Sequence, residues 1–283
     1  MPELPEVETT KRGIEPFLLQ QTITAIAVRD GRLRWPAQVP QSLVGQQVLR
    51  VGRRAKYILL TTTTGTLIIH LGMSGSLRLV TTDTPIKTHD HIDLQLSSGQ
   101  CLRYNDPRRF GSFHFHPDDD PQTHWLLADL GPEPLSNDFS GEHLFRQSRK
   151  RRIAVKNHIM DAKVVVGVGN IYAAEALFSA GIRPTVQACR VTRVGYDKLA
   201  GAIAKILARA IQVGGTTLRD FVGSDGQPGY FRQSLNVYGR ADEPCRVCST
   251  PLKGMVLGQR STVYCPRCQV TRCLLYTSPS PRD

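Results

Sequence analysis

Apolar residues enter the chain at helical spacing and then change period. Between Glu3 and Leu19, Val7, Ile14, Phe17 and Leu18 recur at helical intervals, with Glu8, Lys11, Arg12 and Glu15 between them. That pattern predicts an amphipathic N-terminal helix. From Thr22 to His116 the period drops to two, clearest in Ile92, Leu94 and Leu96 and again in Phe113 and Phe115. Short runs near Val48, Tyr57 to Leu60, Leu67 to Ile69, Leu77 to Val80 and Leu102 to Tyr104 bring the expected total to about eight strands. No helical repeat interrupts them, so a two-layer antiparallel β-sandwich is expected.

The acidic, proline-flanked stretch Pro117 to Pro121 and the segment Gly131-Pro132-Glu133-Pro134 end the alternation. Beyond them the period is helical, over Ser140 to Lys150, Val155 to Met160, Ile171 to Ala180 and Arg193 to Val213. In the last of these Leu199, Ile203, Ile206 and Ala210 form the apolar stripe, and Gly214 and Gly215 stop the helix. The expected architecture is α+β and multidomain. It comprises a sandwich over residues 1–118, a linker over 119–134, a helical domain over 135–235, a cysteine module over 236–270 and an unrelated or disordered tail over 271–283. Within the helical domain, residues 219–231 are rich in glycine and read as a covering loop.

Charge and cysteine usage narrow the function. A net charge of +12 favours a polyanionic partner, with nucleic acid ahead of a membrane surface. No apolar run is long enough to span a bilayer and no signal peptide is evident, so a cytoplasmic protein is expected. Of seven cysteines, Cys245, Cys248, Cys265 and Cys268 form two Cys-x-x-Cys pairs, the spacing of a four-thiolate zinc site. Four protein ligands leave no open position, so the ion is structural. Cys101 and Cys189 are expected to be buried thiols.

Chemistry concentrates at the start of the chain. If Met1 is removed, Pro2 presents a secondary amine, which titrates far below lysine and attacks an aldehyde-like carbon to give an iminium ion. Glu3 and Glu6 follow within one helical turn, close enough for proton transfer and for steadying positive charge. The competing reading is ordinary helix capping by Pro5 and the acids. Further along, Gly167-Val168-Gly169-Asn170 opens a helix whose free N–H groups suit a phosphate or a plain cap. Arg108 and Phe110 share a turn in Asp106-Pro107-Arg108-Arg109-Phe110-Gly111, a candidate wedge for a base stack, and Met73 in Leu71-Gly72-Met73-Ser74-Gly75 is a second.

Taken together, the opening Pro2-Glu3-Leu4-Pro5-Glu6-Val7-Glu8, the turns at Met73 and Arg108 to Phe110, the stretch Val166 to Tyr172 and the four-cysteine finger closely resemble the bacterial formamidopyrimidine-DNA glycosylase family. The resemblance runs to about Gln269. It implies a monomeric bifunctional glycosylase and abasic-site lyase that excises 8-oxoguanine and formamidopyrimidines from double-stranded DNA through a Schiff base. It implies a β-sandwich, a helix-two-turn-helix domain and one structural Zn2+. By the same resemblance Pro2 is the nucleophile, Glu3 the acid/base, Lys56 the β-elimination lysine and Arg260 the δ-elimination arginine. Met73, Arg108 and Phe110 fill the void left by the extruded nucleotide. His89, Arg108 and Arg151 contact DNA, and Lys156, Asn170, Tyr238 and Arg260 hold phosphates.

Three departures stand out. Asn157 occupies a position where the family often has proline, Arg219 one where lysine is frequent, and the tail continues past the fourth cysteine. Two rival readings remain. An endonuclease VIII-like enzyme would prefer oxidised pyrimidines, though Leu4 and the Arg108/Phe110 pair favour purines. A zinc-finger DNA-binding protein without chemistry would bind DNA even after Pro2 and Glu3 are replaced.

Overall fold

The computed structural model describes residues 2–214 and 235–270. The expected covering loop at 219–231, Arg219, and the tail with Cys273 lie outside the described residues. Helix α1 (Leu4–Leu18) starts with Pro5 in its first turn and ends two residues after Pro16, whose ring cannot continue the ladder. Gln20, at φ 65°, then reverses the chain. Strands β1 (Ile23–Val28), β2 (Arg50–Arg54), β3 (Tyr57–Thr62), β4 (Gly65–His70), β5 (Ser76–Thr81), β6 (Asp90–Leu96), β7 (Gln100–Asn105) and β8 (Ser112–His116) follow. They form two antiparallel four-stranded sheets, ordered β1-β6-β7-β5 and β2-β3-β4-β8.

The sandwich core lies where the alternation placed it. Ile92, Leu94, Leu96, Leu102 and Tyr104 from one sheet meet Ile58, Leu60, Leu67, Ile69 and Phe113 from the other, and Val7, Ile14 and Leu18 of α1 close one end. Phe17 corrects the predicted stripe: it is 48% exposed, and Leu4 and Thr10 are buried with Val7 and Ile14 instead. Cys101 is buried as expected, whereas Cys189 is only partly buried.

The helical half comprises α2 (Gly141–Ser148), α3 (Val155–Ile159), α4 (Asn170–Ser179) and α5 (Arg193–Gln212). Ser140 and Thr192 cap α2 and α5 through their hydroxyls, each accepting a backbone N–H three residues on. Helix α4 sits in the middle, with every residue from Ile171 to Phe178 buried. Its one charged residue, Glu175, accepts the N–H groups of Asn236, Val237 and Tyr238 at 2.8 to 2.9 Å and so ties the helix to the cysteine module. That module is a hairpin of β9 (Lys253–Leu257) and β10 (Arg260–Tyr264). Its core of Val237, Leu252 and Val263 packs on Ala174 and Phe178 of α4. Among the described residues no helix is long and apolar enough to cross a membrane.

Candidate active site

The buried N-terminal segment threads onto the start of α4. Leu4 donates its N–H to the Gly167 carbonyl at 3.1 Å. Glu3, 2% exposed, accepts hydrogen bonds from the backbone N–H groups of Gly169 at 2.7 Å, Ile171 at 2.9 Å and Tyr172 at 3.4 Å. The first turn of α4 therefore binds a carboxylate from its own chain, which favours the cap over the phosphate cradle, the two readings that the glycine-rich turn left open. Both glycines are required by this fit. A Cβ on Gly169 would lie 2.2 Å from Glu3 Cδ, and one on Gly167, at φ 79°, would lie 2.4 Å from Leu4 Cδ1.

Glu6 completes the arrangement. One of its oxygens accepts the Glu3 N–H at 2.9 Å and the other the Tyr172 hydroxyl at 2.7 Å. Burial pushes the Glu3 carboxyl above its ordinary range, and the neighbouring Glu6 adds to this; the Lys56 ammonium and the α4 N–H groups oppose it without cancelling it. Lys56 shifts the other way, lowered chiefly by burial and further by Arg260, with Glu3 and Glu6 opposing. A carboxyl biased towards its acid form thus follows the buried Pro2 in the chain, within electrostatic reach of an amine biased towards its free base.

Lys56 is held by its turn. Ala55, at φ 54°, forms the β2–β3 corner, and its N–H donates to Glu133 Oε1 at 2.7 Å. Arg54 donates to the same oxygen at 3.1 Å. Glu133 of the Gly131 to Pro134 segment therefore fixes the hairpin that carries Lys56. His70, on β4, lies in the same neighbourhood. Burial, then Lys56, lowers its imidazole to about 4, and its Nδ1 accepts the Gly72 N–H at 3.0 Å.

A cleft of about 460 Å³ opens above Glu3, lined by Met73, Asn170, Ile171, Tyr238, Gly258, Gln259 and Arg260. The structure thus brings Glu3, Met73, Asn170, Tyr238 and Arg260 together from three separate parts of the chain. Gly258 and Gln259, at φ 56° and 60°, form the tight turn that delivers Arg260. Arg108 and Phe110 stand exposed beside the Met73 turn, with the Arg108 guanidinium 4.9 Å from the Phe110 ring centre. His89 and Arg151 are exposed on other loops and do not line this cleft.

Lys156 departs from its expected place. It is fully buried, and its ammonium donates to Asn170 Oδ1 at 2.6 Å, Thr262 Oγ1 at 2.6 Å and the Ser261 carbonyl at 3.2 Å. With all three protons engaged it cannot grip a phosphate directly, and the expectation that it does is revised. Burial, then Arg260, lowers its amine to about 8. Its observed task is to join α3, the start of α4 and the β10 strand behind Arg260.

The residues missed in the sequence are Tyr172, Glu133, Glu175 and His70. For Glu175 a signal existed: a lone acid within the apolar run Ile171 to Phe178 must find donors when that run is buried. Glu133 gave no comparable signal, because its partners Arg54 and Ala55 are distant in sequence, and His70 gave none, because the burial and the Lys56 charge that lower its imidazole arise only on folding.

The four cysteine sulfurs all lie within 4.8 Å of one another, with Cys248 to Cys268 at 3.4 Å, Cys248 to Cys265 at 3.5 Å and Cys245 to Cys268 at 3.9 Å. Tetrahedral thiolates around zinc, with bonds of about 2.3 Å, stand about 3.8 Å apart. The donor set fits one structural Zn2+.

The sandwich, the helical half and the cysteine hairpin thus meet around one cleft whose lining includes the buried acid Glu3. Comparison with known proteins is consistent throughout. Residues 1–113 match the formamidopyrimidine-DNA glycosylase N-terminal domain, residues 130–222 its H2TH domain and residues 242–270 the zinc finger found in FPG and IleRS. The formamidopyrimidine-DNA glycosylases of Stutzerimonas stutzeri and Pseudomonas savastanoi are 58% and 57% identical over 273 residues, covering 95% of this chain and 100% of each relative. The crystal structure of MutM (Fpg) from Thermus thermophilus is 38% identical with a TM-score of 0.85, covering 95% of this chain and 98% of that one. Lactococcus lactis Fpg in complex with abasic-site DNA is 31% identical with a TM-score of 0.87, covering 95% and 100%. The chain belongs to the formamidopyrimidine-DNA glycosylase family.

Proposed function

We propose that this protein excises oxidised purines, 8-oxoguanine and formamidopyrimidines, from double-stranded DNA and then cleaves the abasic strand. The observation that carries the reading is Glu3, buried beside Pro2 with its carboxyl shifted towards the acid form, under a cleft edged by Arg260, Asn170 and Tyr238. With Met1 removed, the Pro2 nitrogen lone pair attacks C1′ of the damaged nucleoside, and the base leaves with the glycosidic electron pair and takes up the proton that the Pro2 nitrogen gives up. Glu3 then protonates the ring oxygen O4′ as the O4′–C1′ bond breaks, and Pro2 is left as an iminium.

Iminium formation makes the C2′ protons acidic. Lys56, biased towards its free amine, takes one of them; the electron pair forms C2′=C3′ and expels the 3′ phosphate. Arg260 assists the second elimination at C5′, and water releases Pro2. The zinc ion takes no part in these steps and supports the turn that carries Arg260. Asn170, Tyr238 and Arg260 grip phosphates, His89, Arg108 and Arg151 contact the duplex, and Met73, Arg108 and Phe110 occupy the space vacated by the extruded nucleotide.

The test is borohydride trapping on 8-oxoguanine opposite cytosine, beside a thymine-glycol duplex, with protein whose N-terminal mass shows Met1 absent. A covalent adduct chiefly on the first duplex, lost on replacing Pro2 in a folded variant, is expected. An adduct chiefly on the second would move the protein to oxidised pyrimidines, and no adduct on either would remove the chemistry.

A further inference from the structure

Asp106 opens the Arg108/Phe110 turn, yet it is fully buried and cannot touch DNA. Its carboxylate accepts four hydrogen bonds. Oδ1 takes the Ser74 hydroxyl at 2.6 Å and the Arg108 N–H at 3.3 Å, and Oδ2 takes the Tyr104 hydroxyl at 2.9 Å and the Gly111 N–H at 2.9 Å. Ser74 neighbours Met73; Arg108 and Gly111 bracket Phe110. One side chain therefore ties the two turns that carry the wedge residues.

The backbone of Asp106 extends the connection to a third segment. Its N–H donates to the His89 carbonyl at 3.1 Å, and its carbonyl pairs with His91 Nε2 at 2.9 Å. His89 stands at φ 71° and Arg109 at φ 57°, so both segments hold left-handed residues that need outside support. The turns also meet backbone to backbone. A Cβ on Gly72 would lie 2.4 Å from the Phe110 carbonyl carbon, one on Gly75 2.5 Å from the Tyr104 hydroxyl, and one on Gly111 1.7 Å from that same hydroxyl. Neither turn can shift without the other.

We propose that Asp106 is the positioning residue that makes wedge insertion a single event, setting Met73, Arg108 and Phe110 at one fixed spacing and holding the His89 segment to them. The proposal rests on the glycosylase reading above and adds to it a residue that acts only through its neighbours. Every polar partner of the carboxylate donates a hydrogen, so Asp106→Asn keeps the shape while turning an amide N–H₂ against two of those donors. The wedge then loses its fixed spacing, and base extrusion suffers while chemistry at an already exposed sugar does not.

The experiment compares single-turnover excision from an 8-oxoguanine:cytosine duplex with borohydride trapping on a single-stranded abasic oligonucleotide, which needs no extrusion. Melting temperature and zinc content are followed alongside. Asp106→Asn is expected to slow duplex excision by about tenfold or more, as for donors left unsatisfied in a buried site, while single-strand trapping stays within about twofold. Ser74→Ala and Tyr104→Phe each remove one of the four bonds and are expected to give smaller losses of the same selective kind. They carry the test if Asp106→Asn does not fold. Equal loss on both substrates, or no loss on either, would overturn the proposal. Met73→Ala and Arg108→Ala test the underlying reading separately: duplex excision untouched in both would remove the wedge itself, whatever Asp106→Asn does.

Discussion

Adding one methyl group at Gly169 should separate the chemistry from the fold. Gly169 has φ −118°, a conformation open to alanine, so the backbone raises no objection. The obstacle is Glu3, whose Cδ, Oε1 and Oε2 would stand 2.2, 2.5 and 2.6 Å from the new Cβ. Ordinary contact begins at 3.4 Å, so the carboxyl group must retreat by about 1.2 Å. In doing so it loosens its bonds to the N–H groups of Gly169 and Ile171. Overpacking of this kind costs about 1 to 3 kcal/mol of stability. A displacement of about 1 Å in a catalytic group costs about a hundredfold in rate.

The assay is single-turnover excision from an 8-oxoguanine:cytosine duplex at saturating enzyme, with thermal melting alongside. Gly201→Ala is the control, since nothing lies within 4 Å of its Cβ position in α5, and it should stabilise by about 1 kcal/mol with activity unchanged. If the loss at Gly169→Ala runs through Glu3, it should vanish in a Glu3→Gln background, where the acid is already absent. A Gly169→Ala rate within about threefold of the parent would refute the reasoning, because a hundredfold effect is what the geometry demands.

Two other perturbations act at a distance. Removing zinc by chelation, or with Cys248→Ser, should unfold the hairpin that carries Arg260 and weaken DNA binding, as read by metal content and a gel-shift titration; retention of both would sink the zinc assignment. The fully buried His158 has its imidazole lowered chiefly by burial. The unfolded chain therefore takes up its proton first, so this contribution is complete above pH ~6.5 and is lost as pH falls through the folded value, with a slope of at most about 1.4 kcal/mol per pH unit. His158→Phe should flatten that acid limb in chemical denaturation, and an unchanged slope would exclude His158 as its source.

The sequence by itself determined much of this protein. Period-two alternation placed Ile92, Leu94 and Leu96 inside the sandwich, because side-chain direction along a strand is a local property. The two Cys-x-x-Cys pairs specified a tetrahedral zinc site, because each short turn sets its two sulfurs side by side. The opening octapeptide carried both the proposed nucleophile, Pro2, and the acid beside it, Glu3. Only the tertiary structure decided what those groups meet.

That the start of α4 binds Glu3 and not a phosphate depends on two segments separated by 166 residues. Lys156 likewise looks like a phosphate ligand in one dimension. Folding brings Thr262, 106 residues away, and the Ser261 carbonyl onto its ammonium, so it becomes an internal brace. Phe17 fits the helical stripe but points to solvent, since the sheets cover only part of that face. Hydrogen bonds and charge shifts arise from distance in space, and a chain read in order contains those distances only where its partners are neighbours.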